Sequence, residues 1–131
     1  MDVAAYEAHL ARVAEALSDG APCGEDLKRD DDYSRVVDEV KGKLGTPLAG
    51  EIDWQMAARV GNSILTTRSK DVVLATYTTL AMFRVERYPG LAKGLGTIRV
   101  FAERWWQDCF PPAKRMRART GAGGFGLTIE P

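Results

Sequence analysis

The sequence predicts an all-α protein: a compact bundle of about five helices, roughly antiparallel, followed by a Gly-rich C-terminal tail. Three observations lead there. Apolar residues recur every three or four positions in five successive stretches. Gly and Pro clusters separate those stretches (Gly20 to Pro22, Gly45 to Gly50, Pro89-Gly90, Pro111-Pro112). One stretch, Ser69 to Tyr88, is apolar on most of its circumference, as a helix surrounded by neighbours must be.

The first helix is expected from Val3 to about Leu17, with Val3, Tyr6, Leu10, Val13 and Leu17 on one face, and Gly20 and Pro22 beyond its end. The carboxylate-rich loop Pro22 to Tyr33 follows, and one of Asp30 to Asp32 should cap a second helix reaching Leu44. The core face of that helix reads Tyr33, Val36, Val37, Val40, Leu44. A third helix opens at Asp53 and runs through Trp54, Ala57, Val60, Ile64 and Leu65 to about Thr67. The link to the central helix is short, which favours antiparallel packing of the two. Ser69 is the expected cap of the central helix and Asp71 suits its positive end. Val73, Thr76, Tyr77, Leu80, Phe83 and Arg84 recur at helical spacing, and Leu74, Ala75, Ala81, Met82 and Val85 widen the apolar surface beyond one stripe. A fifth helix starts at Pro89 and carries Leu91, Leu95, Ile98, Ala102, Trp105 and Cys109 inward. Gly94 and Gly96 weaken it by about 1 kcal/mol each relative to Ala, so close helix packing is the expected reason for them.

With 131 residues, the chain is long enough to bury roughly two-thirds of its unfolded surface without disulfide or metal staples. Eighteen basic residues balance eighteen acidic ones, so no global field recruits nucleic acid or an anionic membrane. No apolar run spans a bilayer and the start lacks a signal-peptide pattern, so a cytoplasmic location is expected. Cys23 and Cys109 have no cysteine or histidine at metal-ligand spacing and read as reduced structural thiols.

No motif for catalysis or cofactor binding emerges. Glu25, Asp26, Asp30, Asp31 and Asp32 lack the alternate ligands, glycine and terminal glutamate of a calcium loop and read as a solvated, helix-capping segment. His9, the only histidine, has no neighbour at triad spacing and reads as a surface residue. Gly121 to Gly126 follow no strand, which removes the phosphate-loop geometry. Lys114, Arg115, Arg117 and Arg119 form a local basic cluster without interleaved aromatics for base stacking. Adjacent tryptophans on a helix point about 100° apart, so Trp105 on the core stripe leaves Trp106 on the flank, for second-layer packing or a partner contact.

Several short motifs, in order, resemble the N-terminal domain of the ImpA/TssA family, a component of bacterial type VI secretion systems. They are Pro22-Cys-Gly-Glu-Asp-Leu27 with Asp32-Tyr33, Asp53-Trp54, Arg68-Ser-Lys-Asp71, Pro89-Gly-Leu91 with Gly94-Leu95, and Trp106 with Phe110-Pro-Pro112 and Arg115-Met-Arg-Ala-Arg119. The resemblance covers about residues 20 to 119 and implies a domain over 1–119, with a flexible tail over 120–131. It implies a non-catalytic cytoplasmic adaptor, without cofactor or metal, that binds baseplate, tail sheath or tube, or membrane-complex subunits. Family members carry further helical regions, including a ring-forming C-terminal part, through which self-association would run; the chain therefore reads as a fragment or a short member. After Arg119 the family continues in helix, whereas this chain turns Gly-rich. The candidate partner-binding residues are Glu25, Asp26, Trp106, Arg115, Arg117 and Arg119. A helical nucleic-acid-binding domain and a small enzyme without a recognisable motif are the alternatives from other classes.

Overall fold

The computed structural model describes residues 2–111, which form five α-helices and one short 3-10 turn. They are α1 (Val3–Ala14), α2 (Asp31–Lys43), the 3-10 turn (Pro47–Ala49), α3 (Trp54–Thr67), α4 (Val72–Glu86) and α5 (Tyr88–Arg104). The boundary expected near residue 119, the Gly-rich tail and the Arg115 to Arg119 segment lie outside the described residues.

Local chemistry sets the helix starts. Asp2, Asp30, Asp53 and Asp71 each accept a first-turn backbone N–H through the side chain and so cap α1, α2, α3 and α4. The cap of α4 is therefore Asp71 and not Ser69, whose hydroxyl is buried without a hydrogen-bond partner among the described residues. Pro89 sits in the first turn of α5, where its missing N–H costs no intrahelical bond.

The central position of α4 is as expected. It packs extensively on α3 and α5 and also meets α2, while α1 lies against α5. Its innermost residues are Leu74, Ala75, Thr78, Thr79, Ala81 and Met82. All but the two threonines come from the set expected to widen its apolar surface, whereas of the positions read at helical spacing Tyr77 and Leu80 are half-buried and Thr76 and Arg84 exposed. A helix apolar nearly all round gives periodicity little to choose between faces.

The interface of α5 is built from small residues. Its buried positions are Gly90, Gly94, Gly96, Thr97 and Phe101, whereas Leu95 is 54% exposed. A Cβ on Gly94 would stand 2.4 Å from the Thr79 hydroxyl, and one on Gly96 would stand 2.6 Å from Leu10. The glycines thus mark close approaches, which places the inward face of α5 away from its leucines.

Other expectations shift at the ends. Helix α1 stops at Ala14, and Leu17 is half-buried beyond it. Leu44 is 53% exposed rather than core. Helix α5 ends at Arg104, so Trp105 caps it and Cys109 lies beyond it, in the segment that follows.

His9 is half-buried and not a plain surface residue. Its Nε2 lies 2.9 Å from the Thr97 hydroxyl, which itself donates to the Lys93 carbonyl at 2.8 Å. With the hydroxyl proton so engaged, Nε2 carries the hydrogen and donates to the Thr97 oxygen. Burial, then Lys93 and Arg12, lower the His9 pKa below its ordinary 6.5, with Glu86 opposing. The neutral form is thus favoured by folding, and its contribution is complete above pH about 6.5 and lost as pH falls below that value. Acidification from pH 7 to 5 should lower the urea midpoint of the parent more steeply than that of His9→Gln. Equal slopes would deny His9 a part in the acid response.

Candidate functional site

Between α3 and α4, residues Arg68 to Asp71 form a short strap, and two distant segments pair with it. The Lys70 N–H donates to the Cys23 carbonyl at 2.9 Å, and the Glu25 N–H to the Arg68 carbonyl at 3.2 Å. From the other end of the chain, the Phe110 N–H donates to the Lys70 carbonyl at 2.8 Å, and the Val72 N–H to the Phe110 carbonyl at 2.7 Å. These make two isolated bridges, one antiparallel (Gly24 with Ser69) and one parallel (Asp71 with Phe110). Gly24 has φ +79°, and a Cβ there would lie 2.0 Å from the Arg68 carbonyl oxygen, so a glycine is required for this approach.

The strap carries polar side chains into the interior: Ser69, Lys70 and Asp71 are each at most 1% exposed. The Lys70 ammonium donates to the Val13 carbonyl at 2.6 Å, in the last turn of α1, where orphan carbonyls and the helix dipole favour a cation. The same ammonium lies 5.5 Å from the ring centre of Phe101 and 5.9 Å from that of Trp105, at cation–π distance. Burial lowers the Lys70 pKa and raises that of Asp71. Lys70 thereby ties α1, the strap and the end of α5 to one point.

At the rim, the Arg68 guanidinium binds Asp30 and, at 3.2 Å, Asp32. The hydrogen bond from Arg68 holds the Asp30 carboxyl below its usual pKa. The acidic loop is therefore more than a solvated cap. It is pinned by Arg68 and anchored by buried Cys23 and Leu27.

Glu25 and Asp26 remain exposed on this loop. Glu25 lines an open cleft of about 270 Å³ with Leu17, Ser18, Ala21 and Arg68. The Asp26 carboxylate accepts from the Lys28 N–H at 3.2 Å. Trp106 is half-buried in the turn after α5, and its carbonyl accepts from the Cys109 thiol at 3.7 Å. The structure thus hangs Glu25, Asp26 and the Trp106 turn from one strap; Arg115, Arg117 and Arg119 lie outside the described residues.

Cys23 and Cys109 are free and buried at this junction. Burial raises both thiols, that of Cys109 to about 12, so neither is a thiolate at neutral pH. Among the described residues, no group of three or more His, Cys, Asp or Glu is placed to hold a metal ion, and no helix is long and apolar enough to cross a membrane.

The buried Lys70 at the centre of the site was not foreseen from sequence. The available signal was a lysine directly before the cap of the most apolar helix, a position where a solvated cation is out of place.

The segments paired at the strap are among those whose motifs carry the family resemblance, and comparison with known proteins bears the resemblance out. The model of a family described as ImpA, N-terminal, type VI secretion system, matches residues 14–123. This chain belongs to the ImpA N-terminal family. A solved structure of similar fold is the N-terminal domain including the conserved ImpA_N region of the TssA component of the type VI secretion system from Burkholderia cenocepacia. The TM-score is 0.73 at 23% identity, over 86% of this chain and 43% of that one. The ImpA N-terminal chain thus spans less than half of that solved chain. None of the curated proteins matches it.

Proposed function

We propose that this ImpA N-terminal domain is a non-catalytic adaptor of a type VI secretion assembly protein, working in the bacterial cytoplasm. It binds other proteins of the apparatus (baseplate, tail sheath or tube, or membrane-complex subunits) through the face that carries Glu25, Asp26 and Trp106. Arg115, Arg117 and Arg119 are assigned to the same role from their motif. The observation that carries the reading is the family match together with its placement: motifs far apart in sequence gather at one strap, with exposed groups at the rim. The groups with reactive chemistry support a scaffold over an enzyme, since Lys70, Asp71, Cys23 and Cys109 are each at most 3% exposed and out of reach of a substrate.

A tagged pull-down from a bacterium with an active type VI system tests this with the parent chain and Trp106→Ala. The parent should capture a baseplate, sheath or membrane-complex subunit, and the variant should bind it with a loss of about 2 kcal/mol while keeping its helical circular dichroism. Loss of helicity in step with capture would make Trp106 a packing residue. A folded parent that captures none of these subunits would refute an independent binding module.

A further inference from the structure

The connection between α2 and α3 builds a surface that the proposed adaptor face does not use. Gly45 and Gly50 have φ of +75° and +89° with open space at the Cβ position, so they are there for the backbone turn. They fold the connection around the Pro47–Ala49 turn into an arch. The arch and α3 bound an open groove of about 500 Å³ whose lining includes Leu44, Glu51, Ile52, Trp54 and Arg84. Leu48, on the arch, is 99% exposed, and Leu44 beside it 53%.

The charges of this groove come in both signs. The Arg84 guanidinium lies over the Trp54 ring, 5.1 Å from its centre. Neither Arg84 nor Glu51 has an ion-pair partner among the described residues, although both line the groove. Lys43 is already neutralised by Glu39 at 2.7 Å. A seat for a strongly acidic or strongly basic partner would present one sign. This one presents a knob beside a hollow, lined by a cation and an anion that have no ion-pair partner among the described residues. A surface that contains its own complement is what a twofold interface requires.

We propose that the groove seats a second copy of this chain. In the twofold pair, Leu48 of each copy enters the hollow over Ile52 and Trp54 of the other, and Glu51 of each copy faces Arg84 of the other. The patch is small, so the dimer is a weak one that forms at micromolar concentration or above.

Sedimentation velocity of the full chain from about 5 to 500 μM should show a monomer passing into a dimer. Leu48→Glu alters a side chain that is 99% exposed among the described residues and should raise Kd at least about tenfold. Arg84→Glu and Glu51→Arg should each weaken self-association similarly. Mixing those two variants should restore a dimer, because both cross-interface pairs then have opposite charges. A parent that stays monomeric over the whole range overturns the proposal. So does Leu48→Glu with the parent's Kd, or a mixture that associates no better than either variant alone.

Discussion

Lys70→Ala is expected to lower the free energy of unfolding by about 3 kcal/mol, the range found when a large buried side chain is truncated. Two losses add. The ammonium's hydrogen bond to the Val13 carbonyl is charge-assisted, a class worth about 1.5–3 kcal/mol, and its removal leaves a helix-end carbonyl without that donor. The buried stem is also removed, at about 0.8 kcal/mol per methylene. Against them stands the relief of no longer burying a charge. Lys70→Met separates the contributions, because it keeps the stem while discarding both the hydrogen bond and the desolvation cost. A loss of about 1 kcal/mol is expected for Met, read as a lower urea midpoint at unchanged m. A Met variant as destabilised as the Ala variant would show that the stem contributes nothing.

Gly90→Ala and Gly42→Ala should move stability in opposite directions, although both glycines are helical. In an open helix position, Gly to Ala stabilises by up to about 1 kcal/mol. Gly42, with nothing within 4 Å of its Cβ position, should follow that rule. A Cβ on Gly90 would stand 2.1 Å from the Met82 carbonyl oxygen, part of the α4 backbone. Backbone at that distance cannot rotate away, so α4 and α5 must separate, at a cost of about 3 kcal/mol. Thermal unfolding of the pair should therefore bracket the parent, with melting points about 10 °C or more apart. A Gly90→Ala variant as stable as the parent would contradict the close packing of α4 on α5.

What the sequence revealed and what it hid follow from the range of the interactions concerned. Helix number, order and approximate limits were legible, because caps and Gly/Pro breaks act over three or four residues. Asp30 and Asp53 stand where a cap was expected. The inward faces were legible only in part. Leu74, Ala75, Ala81 and Met82 and the close packing at Gly94 and Gly96 were expected, but periodicity could not single out the innermost side of α4, which is apolar nearly all round, and α5 leaves Leu95 in solvent. A hydrophobicity pattern cannot report an interface made by the absence of side chains. Of the candidate site, the motifs were visible singly, but their meeting was not. Lys70 reaches Val13, 57 residues away, and Arg68 reaches Asp30, 38 residues away. A lysine in a sequence also reads as solvent-facing until its helix-end partner is known.

The unity of the strap is tested most directly by native-state hydrogen exchange at the Glu25, Lys70, Val72 and Phe110 amides. These four bond within one structure, although they come from three regions of the chain. They should share a single opening free energy close to that of the α4 interior, and they should fall together in Lys70→Met. If instead the Glu25 and Phe110 amides exchange at separate rates, well before those of Lys70 and Val72, the segments are loops that merely lie near the strap. The adaptor face would then have no common support.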